Sequence, residues 1–352
     1  MAVDALTPND PRVDHKFFSV GDVTYYYMLA NPEGRAIAPV VLIHGWPDLG
    51  LGWRYQVPYL VSLGLQVIVP DMLGYGKTSA PASPEEYTLK KTTAHIAALI
   101  KATTDQPVIL GGHDWGGAFA WRLALYYPEL VRAVVSFCVP YAPPPPAPLT
   151  DEQLVERAPS FRYQLAIAGG AVEAAVGSGS GSGSAGPEAL TAFLHGSYGG
   201  TTPEGAAVFT PGHGIHADRL ARVRPSPLVP AGVIAHYARE YARSGLRGPC
   251  NWYRTRELNA ADERDLARGR GVFRFDVPAM IVMAADDVVL LPELADGQER
   301  YFATGRLRRE VVAGASHWVL IEKPEEANGL LGDFVAGVLG DDSLEPFGFC
   351  HG

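Results

Sequence analysis

The chain has 352 residues, enough for one large α/β domain or two modest ones, and at 47% hydrophobic with a mean hydropathy of +0.02 it can bury a sizeable core. Only 19% of residues are charged, which argues against a disordered or coiled-coil chain, and the net charge is −9. The same charge, with no cluster of Lys and Arg, argues against nucleic acid or an anionic membrane as partner.

The chain starts on MAVDALTPND, which lacks the basic start and apolar run of a signal peptide, and no stretch reaches the length of a membrane span. Three widely separated cysteines, Cys138, Cys250 and Cys350, exclude a full disulfide framework or a cysteine-based zinc site. Together these features predict a cytoplasmic protein. From His15 and Val23 the segments HKFFSV and VTYYYMLA read as an antiparallel pair joined by Gly21-Asp22. Short β-branched runs follow: VVLIHG, LQVIVP, PVILGGHD and VRAVVSFCVP. Runs apolar on both faces predict strands covered by helices. The helical stretches YQVPYLVSLG, YTLKKTTAHIAALIKAT and GGAFAWRLALYYPEL lie between them, and the last carries only Arg122 as a charge, which predicts burial. Strand and helix alternating in this way imply a mostly parallel sheet with helices on both faces.

At Tyr141 the alternation stops. A proline run, Pro143 to Pro146, leads into helical pieces, loops and a Gly-Ser repeat from Gly177 to Ser184. That repeat cannot bury apolar surface and reads as a flexible surface loop or an insertion. Sheet-like sequence resumes at PAMIVMAADD and RREVVAGASHW, and the pattern closes in a helix around Glu325 to Val338. The expected organisation is a core of residues 1–140 and 273–352, with a mainly helical cap of residues 141–272 over the sheet as a lid.

Gly112-His113-Asp114-Trp115-Gly116-Gly117 ends an apolar strand and opens a helix. Small residues around a central reactive one give the spacing of a nucleophile elbow with Asp in place of Ser. The bland alternative is that Asp114 caps the following helix. The partners elsewhere in the chain favour the elbow. His44-Gly45-Trp46-Pro47-Asp48 follows the strand VVLI, where such folds place one oxyanion donor; the residue after the nucleophile supplies the other. That assigns the backbone N–H groups of Trp46 and Trp115. In the order nucleophile, acid, histidine, Asp287 is the expected acid, with Asp286 the weaker choice, and His317 the base. Cys138-Val139-Pro140 offers no carboxylate after the earlier strand. Asp71 to Thr78 tempts a phosphate-loop reading, but Asp71 stands where the first Gly is required, so it reads as a structural turn.

The set His-Gly-Trp-Pro, Asp-Met-Leu-Gly-Tyr-Gly, Gly-His-Asp-Trp-Gly-Gly and Ser-His-Trp resembles the soluble epoxide hydrolases of the α/β-hydrolase superfamily. Phe161-Arg162-Tyr163-Gln164 and Asn251-Trp252-Tyr253-Arg254 resemble the two segments that carry that family's lid tyrosines, so the resemblance implies Tyr163 and Tyr253 as proton donors. It covers roughly His15 to Gly340, and the Gly-Ser repeat departs from it. The fold implied is the α/β-hydrolase fold with an inserted cap. The activity implied is conversion of an epoxide to a vicinal diol, using water and no cofactor or metal. A carboxylate nucleophile suits this chemistry, because the ester it forms is hydrolysable where the ether from a serine would not be.

All six tryptophans lie in or near motif segments, which favours an apolar or aromatic epoxide. His44, Pro47, Gln164, Trp252 and Trp318 are expected to line the substrate site. A homodimer is the one macromolecular assembly that the sequence leaves open. Haloalkane dehalogenase is the nearest rival, sharing the Asp elbow and the following Trp, but Trp46 stands where an Asn is expected to hold the halide. Fluoroacetate dehalogenases place Arg where this chain has Trp115. A non-catalytic binding protein of the fold is disfavoured, because such proteins tend to lose triad residues and Asp114, Asp287 and His317 are all present.

Overall fold

Every residue of β3 (Pro39–Ile43), β5 (Val108–His113) and β9 (Ala279–Ala284) is buried, which is the environment that the unbroken apolar runs demand. The structure, a computed structural model, describes residues 3–145, 147–177, 186–264, 266 and 273–340. These strands belong to an eight-stranded sheet completed by β1 (Asp14–Val20), β2 (Val23–Ala30), β4 (Gln66–Pro70), β6 (Val131–Phe137) and β10 (Leu307–Val312). The spatial order is β1-β2-β4-β3-β5-β6-β9-β10. β1 and β2 form the hairpin expected from Gly21-Asp22, and β2 joins β4 antiparallel. From β4 to β10 all pairings are parallel.

Parallel strands need crossovers, and helices supply them. α1 (Gln56–Ser62), α2 (Leu89–Thr103) and α3 (Trp115–Tyr126) fill the first half. α2 starts where the Thr88 hydroxyl accepts the Lys91 N–H at 3.3 Å, an N-cap that satisfies one orphan donor. α3 packs against β5 and β6 and is buried along most of its length, as its sequence predicts, and its single charge, Arg122, is buried with it. Arg122 binds Glu263 through two nitrogens, at 2.6 and 3.1 Å, and donates its third to the Ala142 carbonyl. The C-terminal helix spans Pro324–Gly340.

Between β6 and β9 the described residues are mainly helical. α4 (Asp151–Arg157), α5 (Arg162–Ala168), α6 (Ala171–Gly177) and α7 (Pro187–Ser197) precede a two-residue hairpin of β7 (Phe209–Thr210) and β8 (Gly214–Ile215). α8 (Ala217–Leu220), α9 (Ala231–Ser244), α10 (Arg247–Asn251) and α11 (Arg256–Asp262) follow. Residues 178–184 of the Gly-Ser repeat and Cys350 lie outside the described residues. None of the described helices is long and apolar enough to cross a membrane.

Because β3, β5, β9 and β10 all point the same way, the loops at their carboxyl ends gather on one edge of the sheet. His44–Asp48, Asp114, Asp287 and His317 all lie in those loops. That edge is where open α/β sheets bind ligands.

Candidate active site

Asp114 sits at the turn between β5 and α3. Its backbone has φ 53° and ψ −124°, a conformation costing on the order of 1–3 kcal/mol for a side chain with a Cβ. The neighbouring glycines make the turn feasible: a Cβ on Gly112 would strike the Gly116 carbonyl, and one on Gly116 would strike that of Ile43. The Asp114 side chain does not cap α3. Its Oδ1 instead accepts the Trp46 backbone N–H at 2.8 Å, across to the loop after β3. The carboxylate is nearly buried.

The other oxygen, Oδ2, faces Nε2 of His317 at 3.8 Å. On its far side His317 donates Nδ1–H to Oδ2 of Asp287 at 2.8 Å, which fixes the tautomer with Nε2 turned to Asp114. Asp287 Oδ1 accepts the N–H groups of Val289 and Leu290 at 2.8 and 2.9 Å, so this buried carboxylate is fully occupied. Burial pushes the His317 pKa down, but the charge and hydrogen bond of Asp287 outweigh it, and the imidazole ends well above its ordinary value. Burial likewise pushes Asp287 up; the His317 charge and the hydrogen bonds it accepts reverse this and hold it below the usual carboxylate range. Asp286 is exposed and makes no such bond.

Above the carboxylate stands an aromatic enclosure. The Tyr253 ring lies edge-on to Trp115 at 5.3 Å and to Trp46 at 5.7 Å. Tyr163 meets Tyr253 at 5.9 Å and Phe209 at 5.3 Å, and Phe193 meets Trp46 at 5.8 Å. Both tyrosines are buried, and burial first, then neighbouring charge including that of Asp114, pushes their pKa values well up. Their hydroxyls therefore stay protonated across the neutral range, available as donors. Trp115 itself begins α3 immediately after Asp114.

The remaining expected substrate contacts divide. His44 requires a correction. Its Nε2 accepts the Met72 N–H at 2.9 Å and its Nδ1 donates to the Gly45 carbonyl at 2.9 Å, so both ring nitrogens are spent on main chain. It holds the loop that presents Trp46, and burial keeps the ring neutral by lowering its pKa. Trp252 is also turned inward: its indole N–H donates to the Leu73 carbonyl at 3.0 Å and its ring backs Trp115 at 5.9 Å. Trp318 donates to the Ser197 carbonyl at 3.0 Å while its ring lies 5.2 Å from that of His317. Pro47 follows a cis peptide bond in the Trp46 loop, and Gln164 is half-buried beside Tyr163.

Several residues of the site were not singled out in the sequence. His113 donates Nε2–H to the carbonyl of His317 at 2.8 Å, and burial beside His317 pushes its pKa down to about 4, so it is a neutral donor. Cys138 also turns its thiol to that carbonyl, at 3.8 Å. The ligand atoms of His113, Cys138 and His317 lie within 4.8 Å of one another. In this geometry the first two act as hydrogen-bond donors that hold the third. Ser316 gives both its N–H and its hydroxyl to Glu322, fixing the other side of the same loop. Asp48 accepts the hydroxyls of Tyr198 and Tyr237 at 2.9 and 2.6 Å. Only the position of His113 and Asp48 inside motifs could have drawn attention to them; the tyrosines carry no local signal.

The family model described as the alpha/beta hydrolase fold matches residues 38–324. The chain is 51% identical over 345 residues to epoxide hydrolase srdG of Neurospora crassa, covering 95% of this chain and 99% of that one. It is 31% identical over 317 residues to epoxide hydrolase A of Mycobacterium tuberculosis, covering 87% and 92% of the two. Its structure is similar to the crystal structure of epoxide hydrolase A from Mycobacterium thermoresistibile, with a TM-score of 0.76 and 30% identity over 92% of this chain and 98% of that one.

Proposed function

The chain belongs to the α/β-hydrolase family and, within it, to the epoxide hydrolases; from that premise we propose that it opens an apolar or aromatic epoxide to the vicinal diol through an ester on Asp114. The observation that carries this route is the division of the Asp114 carboxylate, with Oδ1 on the Trp46 N–H and Oδ2 facing His317.

In the first step Oδ2 attacks an epoxide carbon from behind and the C–O bond to the ring oxygen breaks. The oxygen leaves as a strongly basic alkoxide, and a Tyr163 or Tyr253 hydroxyl protonates or hydrogen-bonds it as it forms. In the second step the neutral Nε2 of His317 takes a proton from water, whose oxygen adds to the Asp114 ester carbonyl. The Trp46 and Trp115 N–H groups stabilise the oxyanion that develops on Oδ1, a contribution typically of about 3 kcal/mol per donor. Collapse of that intermediate expels the diol oxygen, which takes the proton from the His317 imidazolium, and the Asp114 carboxyl group gives up its remaining proton, replacing the one that the lid tyrosine donated, to return the carboxylate. Asp287 orients His317 and stabilises the imidazolium. No step calls on a cofactor.

The enclosure of aromatic rings supports an apolar or aromatic substrate. Haloalkane dehalogenation would use the same carboxylate, but the two buried hydroxyls over Asp114 favour an alkoxide leaving group that needs a proton. We assign residues 141–272 as the cap, because Tyr163 and Tyr253 reach the site from that segment. We place the protein in the cytosol, in keeping with free, buried Cys138 and Cys250.

A single turnover in heavy-oxygen water with enzyme in excess tests the route. Unlabelled diol, with label in the peptide containing Asp114, is expected. Full labelling of the first-turnover diol would show direct attack by water and overturn it.

A further inference from the structure

Tyr198 closes α7, far in sequence from every motif, and its side chain is almost wholly buried. Its hydroxyl donates to Asp48 Oδ1 at 2.9 Å and stands 3.5 Å from the Pro47 carbonyl, in the loop that presents the Trp46 N–H. Its ring lies 4.1 Å from that of Trp318, tilted by 34°, next to His317. The preceding residue, Ser197, accepts the Trp318 indole N–H through its carbonyl at 3.0 Å. One turn of chain therefore touches both catalytic loops at once.

We infer that Tyr198 is a positioning residue that sets the His317 loop against the Trp46 loop, and so governs hydrolysis of the Asp114 ester more than its formation. This rests on the ester route proposed above. The asymmetry follows from which groups each step uses. Hydrolysis needs His317, the attacking water and the oxyanion donors in mutual register, since misplacement of about 1 Å costs on the order of a hundredfold. Alkylation needs the Asp114 carboxylate and the lid hydroxyls, and His317 takes no part in it. Asp114 is held in place by its own strained turn and by the Trp46 N–H, and when the Tyr198 hydroxyl is lost the Tyr237 hydroxyl still anchors Asp48 in the Trp46 loop.

Tyr237 provides an internal control. It donates to the same oxygen of Asp48, at 2.6 Å, from α9. Its ring lies 6.0 Å from that of Tyr198 and is not paired with Trp318. Loss of its hydroxyl removes an equal number of hydrogen bonds from Asp48 but leaves Tyr198 joining Asp48 to Trp318.

The test is a pre-steady-state measurement of alkylation and ester hydrolysis in wild type, Tyr198→Phe, Tyr237→Phe and Trp318→Phe, using a chromogenic aryl epoxide and quenched intact-mass analysis. Tyr198→Phe is expected to slow hydrolysis about tenfold while alkylation stays within about twofold, as loss of one net hydrogen bond allows. The ester should accumulate, and kcat and KM should fall together. Trp318→Phe, which keeps the ring contact but loses the bond to Ser197, should shift the partition the same way. Tyr237→Phe should leave it unchanged. An unchanged partition in Tyr198→Phe, or an equal shift in Tyr237→Phe, overturns the inference and leaves Asp48 as a general anchor. Should wild type form no ester, the covalent route fails first, and the positioning role with it.

Discussion

Nε2 of His317 stands 3.8 Å from Oδ2 of Asp114, beyond hydrogen-bonding reach, although each is firmly held by other partners. In a serine triad the base must touch the nucleophile, because it removes the nucleophile's proton. A carboxylate has no proton to remove. The separation suits a base whose proton comes from a water approaching the Asp114 carbonyl carbon.

Separation of the two steps should be visible in His317→Gln. Alkylation is expected to survive, while ester hydrolysis falls by roughly 10²–10⁴, the usual worth of a general base. Intact-mass analysis after substrate addition should show a persistent stoichiometric adduct on Asp114. A variant that stays unmodified and gives no burst of product would refute this division of labour.

The pH dependence should report the Asp287–His317 pair. Only the neutral imidazole can accept the proton of water, so hydrolysis should rise with pH through the His317 pKa. Burial lowers that pKa, but Asp287 raises it further, to well above the ordinary 6.5. In Asp287→Asn the opposing charge is gone and burial remains, so the rising limb should move to lower pH, at a reduced plateau. Decay of the accumulated ester, followed from pH 5 to 10, checks the sign. A limb that moves upward, or not at all, contradicts the assigned pairing.

The lid hydroxyls should be redundant in part. Tyr163→Phe and Tyr253→Phe are each expected to lose about tenfold in alkylation, because one hydroxyl still reaches the alkoxide. The double variant should lose on the order of 10³ or more while keeping its far-UV circular dichroism. Wild-type alkylation in the double variant would place the proton donor elsewhere.

Arg122 and Glu263 form a buried, bidentate pair, with side-chain exposures of 10% and 2%, and Arg122 also holds the Ala142 carbonyl. The pair fastens both ends of the inserted segment to the helix that follows the nucleophile. Glu263→Ala strands a buried guanidinium and should cost about 3–5 kcal/mol in denaturant unfolding. Arg122→Met with Glu263→Leu should recover much of that loss. Equal losses in the single and double variants would mean that the pair adds net stability in its own right.

Much of this protein was legible in its sequence because local rules sufficed. Short apolar runs such as VVLI and AMIVMA fit interior parallel strands, and Gly112, Gly116 and Gly117 mark a turn too crowded for side chains. Chain order pointed to Asp114, Asp287 and His317, and the structure brings those three together. What the sequence left open depends on contacts between residues distant along the chain. His44 looked free to meet a substrate, yet the Met72 N–H, 28 residues on, takes its Nε2. Tyr198 and Tyr237 look like any of the 16 tyrosines until folding brings their hydroxyls to Asp48, 150 and 189 residues away. The helix carrying Arg122 reads as buried, but what neutralises its one charge does not show in the sequence, since Glu263 lies 141 residues further on. Strand, turn and motif are set by neighbours within a few residues. The partners of buried polar groups are set by which loops the sheet order places side by side, and only the tertiary structure decides that.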